Sequence, residues 1–216
     1  MQLIHCQVSM DHVNSGPESR KRALIHNSAD EEVKASKTLK MERNPVECLR
    51  LITPEYIPEP LDHSKRLQKA STLQLEAYTA EKVNAIRNRD ICKLTELLEQ
   101  GQSFVACNNN AESLLHLACR RGDVSTVIFL IAQAKVSPDA IDSLGRSILH
   151  DICWRPEPDF ELMDTVLCMV SPGLLLAKDA RGHTPFDYVR RRDWAEWNQY
   201  LTSRKEIIQE RLKMIV

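Results

Sequence analysis

A chain of 216 residues with a formal net charge of −1 has room for one ordinary domain and a tail, or for a short stack of repeats. Its balance of Lys+Arg 29 against Asp+Glu 30 gives no whole-chain attraction to nucleic acid or an anionic membrane. The 6 glycines, the 5% aromatic content and the scarcity of alternating β-branched runs argue against an all-β fold, and nothing approaches the roughly 18 consecutive apolar residues of a membrane span.

Residues 1–44 read as a disordered tail, because from residue 9 apolar side chains are too sparse to offset the entropy of ordering the backbone. Arg20-Lys21-Arg22 is a short basic cluster that a solvated tail accounts for. Residues 45–76 form a proline-containing lead-in and capping segment. Val46, Leu49, Leu51 and Ile52 make an apolar burst, then Pro54, Pro58 and Pro60 favour extended backbone. The expectation is a surface strap whose apolar residues pack on the first helical unit C-terminal to it.

Helical periodicity resumes near Asp62 and predicts helices over 79–88 and 91–100, hinged at Arg89-Asp90 and ended by Gly101. From there the chain repeats itself. Ala85-x4-Asp90-Ile91 superimposes on Ala118-x4-Asp123-Val124, and Ser113-Leu-Leu-His116-x-Ala118-Cys119 on Ser147-Ile-Leu-His150-x-Ile152-Cys153. A further copy is Thr184-Pro-Phe-Asp187-x-Val189. The turn signals Asp142-Ser-Leu-Gly145 and Asp179-Ala-Arg-Gly182 precede the last two copies. A period near ~33 residues predicts stacked helix–turn–helix units, none of which can bury its apolar face alone. Residues 202–216 read as a C-terminal amphipathic helix with Ile208, Leu212 and Ile215 on one face, set to cap the stack or to dock on a partner.

These stretches resemble the ankyrin repeat, whose pattern is a D-x-x-G-x-T-P-L-H-x-A-A opening, a G-x turn and a V-x-x-L-L second helix. The resemblance covers residues 77–201 in four units. It implies an all-α fold, an ankyrin-repeat solenoid of stacked helix–turn–helix units with projecting β-turn loops and a concave partner surface. Unit one lacks the T-P-L-H turn, as a capping unit would. Unit three carries the extra loop Trp154-Arg-Pro-Glu-Pro-Asp-Phe160, and unit four has Asp187 where the histidine belongs.

His116 with Cys119, and His150 with Cys153, share a helix side at i,i+3 and suggest zinc or a nucleophilic thiol. Neighbouring helix axes lie about 8–10 Å apart, whereas zinc ligands converge to about 2.0–2.3 Å from one ion. The structural alternative is that each histidine fastens its turn to the next and each cysteine packs as a small apolar residue. No phosphate-binding loop, nucleophile elbow or H-E-x-x-H occurs. The chain is therefore expected to be non-catalytic, with no cofactor and no metal. Its seven cysteines, odd in number and without C-x-x-C, imply a reduced intracellular setting, cytoplasm or nucleus.

The resemblance also implies where a partner would bind: turn and helix-end slots holding Asn109, Asn110, Glu112, Arg120 and Arg121 in unit two. Unit three supplies Ser143, Leu144, Arg146, Trp154 and Arg155, and unit four Ala180, Arg181, His183, Arg191 and Arg192. Seven of these are arginines and only Glu112 is acidic. Arg with Trp is a hot-spot composition and suits a carboxylate-bearing partner. The reading is an adaptor or scaffold that binds a protein with an acidic surface or segment. The alternatives are arginines simply solvated or paired with Asp151, Asp159 and Asp193, a regulatory subunit of an enzyme carried on another chain, or a nucleic-acid-binding repeat protein.

Overall fold

The structure, a computed structural model, describes residues 43–55 and 70–213. The expected tail therefore lies outside the described residues except for Arg43 and Asn44, as does the proline strap from residue 56 to 69 and Ile215 of the C-terminal helix.

Helix α1 is Pro45–Ile52, and α2 is Thr72–Ala77. Unit one comprises α3, Ala80–Asn88, and α4, Ile91–Glu99. Unit two is α5, Leu114–Arg121, and α6, Val124–Ile128, which runs into a π-helical turn at Phe129–Gln133. Unit three is α7, Ile148–Cys153, and α8, Phe160–Leu167. Unit four opens with 3-10 turns at Pro185–Tyr188 and Arg191–Asp193 before α9, Trp194–Ser203. Helix α10 is Lys205–Lys213. Among the described residues there is no strand, only the isolated bridges Cys107–Ser113 and Ile141–Ser147 that close two β-turn fingers.

Local chemistry explains the helix–turn–helix joints. Arg89 (φ 58°) and Gly122 (φ 69°) end their helices in the left-handed region, which frees the chain to reverse. An aspartate then opens the next helix: Asp90 accepts from the Lys93 amide at 2.9 Å and Asp159 from the Leu162 amide at 3.0 Å. First helices stack on one another, α3 on α5 on α7 on the Pro185–Tyr188 turn. Leu114, Leu115, Ile148, Leu149 and Phe186 are buried between them, with Leu94, Leu97, Leu130, Leu162 and Val166 from the second helices behind. The expected aromatic face of unit four becomes a ring cluster. Trp197 meets Phe160 and Phe186 at 5.2 and 5.7 Å between centroids, and Tyr200 stacks on Phe160 at 4.9 Å.

Two expectations need correction. The lead-in was expected to pack on the first unit, but α1 lies on the last, against α9 and the Pro185–Tyr188 turn. Val46, Leu49 and Ile52 are buried there while Leu51 stays exposed. The Asn198 amide donates to the Arg43 carbonyl at 2.8 Å, and Gln209 to that of Ile52 at 2.7 Å. The physical reason is that unit four has no neighbour on its outer side, and its single-turn first helix covers little. Helix α10 finishes the same end, burying Ile208 and Leu212. Arg211 donates to the carbonyls of Cys168 and Val170 at 2.9 and 2.6 Å, so the amphipathic helix caps the stack.

The second correction concerns Arg191 and Arg192. The repeat pattern puts them at the end of unit four's first helix, but that helix stops at Tyr188 and both lie in the second 3-10 turn. Val189 turns to extended backbone, and its carbonyl accepts from the Trp194 indole at 3.1 Å rather than continuing a helix.

At the fourth position of each finger stands Ala111 (φ 56°), Gly145 (φ 75°) or Gly182 (φ 82°). A Cβ carries a steric cost in that region of about 1–2 kcal/mol. Ala111→Gly is therefore expected to stabilise the protein by roughly 1 kcal/mol, and Gly182→Ala, which has open space around its Cβ position, to destabilise it by a similar amount. Urea unfolding of both variants checks this; equal midpoints for wild type and Ala111→Gly would refute it.

Candidate partner-binding face

Each finger is built around one side chain that accepts two backbone amides. Asn108 Oδ1 takes those of Asn110 and Glu112 at 2.9 and 3.1 Å, and Asp142 Oδ1 those of Leu144 and Arg146 at 2.9 and 2.8 Å. Asp179 Oδ1 does the same for Arg181 and His183 at 2.9 and 3.0 Å. Adjacent fingers are joined by Ser143 N–H to the Asn110 carbonyl and Ala180 N–H to the Leu144 carbonyl, both 2.8 Å. Three fingers thus form one hydrogen-bonded ridge beside the first helices.

The two histidines are part of this framework. His116 Nδ1 accepts from the Ser113 amide at 3.2 Å, and its Nε2–H donates to the Arg146 carbonyl at 3.1 Å. His150 repeats this with the Ser147 amide at 3.0 Å and the His183 carbonyl at 3.2 Å. Both nitrogens of each ring are committed, which requires the neutral Nε2–H tautomer. Burial drives the pKa of His116 down to about 4 and lowers that of His150. Burial also raises the pKa of the Cys119 and Cys153 thiols, the opposite of what activates a nucleophile.

The arginines do not form a free basic stripe. Arg120 bonds Glu112 at 2.9 Å and Asp151 at 3.1 Å. Arg146 bonds Asp142 at 2.6 Å and Glu112 at 3.3 Å. Arg155 pairs with Asp159 at 3.3 Å and donates to the Arg120 carbonyl at 3.0 Å. Arg192 sits apart with Glu157 at 2.8 Å and Asp193 at 3.3 Å. Arg121, Arg181 and Arg191 are exposed and form no ion pair among the described residues, though Arg191 lies 5.8 Å from the Trp194 ring centre. Asn110 and Leu144 project from the ridge, Leu144 with 40% of its surface exposed.

Residues 110–143 match the family model described as the ankyrin repeat. That stretch, unit two with the turn that follows it, carries an ankyrin repeat. Ankyrin repeats mediate protein binding, so the stacked units are a protein-interaction module. Among solved structures, the chain is similar to the ankyrin repeat domain of Bcl-3, described as a unique member of the IkappaB protein family. The identity is 22% and the TM-score 0.48, over 59% of this chain and 57% of that one. This chain thus spans little more than half of that structure. No curated protein matches it. Among the described residues, no helix is long and apolar enough to cross a membrane.

Around Trp154 the face gains a component that sequence reasoning missed. Trp154 is 51% exposed, 5.8 Å from the Arg146 guanidinium and 5.8 Å from the Tyr188 ring, with the two ring planes inclined at 37°. His183 stands edge-on to Tyr188 at 5.7 Å. Tyr188 is pinned by donating to Asp179 Oδ2 at 2.5 Å; burial first, then that bond, pushes its pKa up to about 12. The available signal was its slot: Tyr188 follows Asp187 as Asp151 follows His150 and Leu117 follows His116. Asp151, one of the three aspartates offered as arginine partners, takes that role. Its Oδ1 meets Arg120, its Oδ2 has no partner among the described residues, and burial raises its pKa to about 7 despite that arginine.

His116 and Asp151 give opposite pH slopes. A histidine depressed from 6.5 to about 4 contributes stability that is full above 6.5 and is lost as pH falls through 4. An aspartate raised from 3.8 to about 7 contributes stability that is full below 3.8 and is lost as pH rises through 7. Removing the second slope with Asp151→Asn is expected to make the variant lose about 2 kcal/mol more than wild type between about pH 7.5 and about pH 5. Urea unfolding at the two pH values measures it, and parallel losses in both proteins would rule out this role for Asp151.

Proposed function

We propose that the repeat domain, 77–201, is a non-catalytic adaptor or scaffold that holds a partner protein on its concave face. The observation that carries this is Trp154, a half-exposed indole held against Tyr188 and Arg146 on a framework whose fingers are bonded to one another. A large aromatic fixed before binding loses little entropy on complex formation, which is the condition for a hot spot.

The electrostatic part of the reading is narrower than the arginine count suggests. With Arg120, Arg146, Arg155 and Arg192 matched by carboxylates of the same chain, recognition of an acidic partner falls to Arg121, Arg181 and Arg191. Three such cations at finger and helix ends fit an acidic peptide or protein patch rather than the continuous charge of a nucleic acid. The six described cysteines, all free thiols, are consistent with work inside the cell.

The test uses residues that the fold does not need. Trp154→Ala, and separately Arg121→Glu with Arg181→Glu and Arg191→Glu, are compared with wild type in affinity capture and mass spectrometry. Each is expected to reduce partner recovery at least about tenfold with an unchanged thermal midpoint. Undiminished recovery by both variants would overturn the concave-face reading.

A further inference from the structure

We infer that the Trp154–Tyr188 pair receives a proline of an extended, acidic, proline-rich segment in the partner protein. The inference rests on the concave-face reading and names the partner's chemistry.

Three observations select this partner form. The first is the indole itself: Trp154 exposes half its surface, and its Nε1–H has no acceptor among the described residues. A bound segment that offers an acceptor beside a flat apolar group matches both the indole N–H and the outward ring surface of this pair, whose planes are inclined at 37°. A helical partner has already spent its backbone carbonyls on its own amides. A polyproline II segment has no internal hydrogen bonds, so each of its carbonyls is an acceptor and its pyrrolidine rings supply flat apolar faces.

The second observation removes the other extended form. Strand addition needs an edge of free amides and carbonyls. The fingers next to Trp154 have spent theirs, Ser143 on Asn110 and Ala180 on Leu144, with Asp142 and Asp179 taking further amides. A segment without backbone donors loses nothing against such a ridge.

The third observation is charge. Arg146 lies against Trp154, and the Arg181 amide is bonded to Asp179 Oδ1, whose other oxygen takes the Tyr188 hydroxyl. Arg146 is already paired with Asp142, but Arg181 has no ion-pair partner among the described residues. A carboxylate one or two residues from the seated proline meets that guanidinium at the edge of the rings.

The experiment uses the full chain labelled at its tryptophan indoles, with the Trp154 signal assigned from Trp154→Phe. The probes are synthetic peptides of four Glu-Pro-Pro triplets and, at equal length and charge, four Glu-Ala-Ala triplets. The proline peptide is expected to shift the Trp154 indole signal and to bind at least about tenfold more tightly than the alanine peptide. Trp154→Ala is expected to abolish that preference. Trp154→Phe, which keeps an aromatic ring but loses the donor and the second fused ring, is expected to weaken binding about fivefold. Equal binding of the two peptides would overturn the inference and leave an acidic-partner face standing. No shift at about 1 mM proline peptide would overturn it as well. The concave-face reading is judged separately, by the capture experiment.

Discussion

The stack depends on a hydrogen bond that crosses from one unit to the next: a buried imidazole Nε2–H given to the carbonyl at the end of the next finger. Everything around the ring is arranged to keep it neutral and in one tautomer. A serine amide supplies the donor that Nδ1 must accept, and burial removes the water that would favour a proton. Because the accepting carbonyls belong to Arg146 and His183, the same bonds fix the backbone from which those two side chains project. Unit four breaks the series in an informative way. Asp187 accepts from the Thr184 amide at 2.7 Å and its hydroxyl at 2.8 Å, which closes its own turn, but a carboxylate has nothing to donate onward. No fifth finger is present among the described residues to receive such a bond, so the change from histidine to aspartate marks where the solenoid stops.

What ends a solenoid is harder to read than what repeats in it. The spacing from Ser113 to Cys119 and from Ser147 to Cys153 repeats in one dimension, and contacts between adjacent units recur at the same interval. The cap obeys no such interval. Val46, Leu49 and Ile52 announce an apolar face, but amphipathicity says only that a face is covered, not by what. Their cover is α9, joined through Asn198 to the Arg43 carbonyl across 155 residues of sequence. Proximity in sequence favoured unit one; the unburied side of a terminal unit with a shortened first helix favoured unit four.

The charged face failed in another way. Arg120 and Arg146 were legible as slots, but a slot does not show what stands opposite. Arg120 meets Asp151, which is 31 residues further along, because the position after His150 faces the end of α5. Glu112 joins both arginines from the finger below, at 2.9 and 3.3 Å. An arginine count taken along single units sees the cations and misses carboxylates contributed by neighbours. Such pairs add little attraction for an outside partner, but they hold guanidinium groups in fixed orientations, and Arg146 in turn lies against Trp154.

The extra loop of unit three then has a physical purpose in the same terms. Pro156 and Pro158 restrict its backbone, and Arg155 anchors it by donating to the Arg120 carbonyl at the end of α5. The guanidinium occupies the space that a side chain on Gly122 would need, its Nη1 overlapping the position of a Cβ there. Gly122 is therefore required twice, for its left-handed turn and for the room it leaves. A cation at a helix C-terminus is also favourable to the helix dipole. Trp154, one residue before that anchor, is consequently held in place from beneath while half of its surface faces outward. An insertion that merely lengthened a loop would have left the indole free to collapse onto the core; one tied back to the preceding unit keeps it on display.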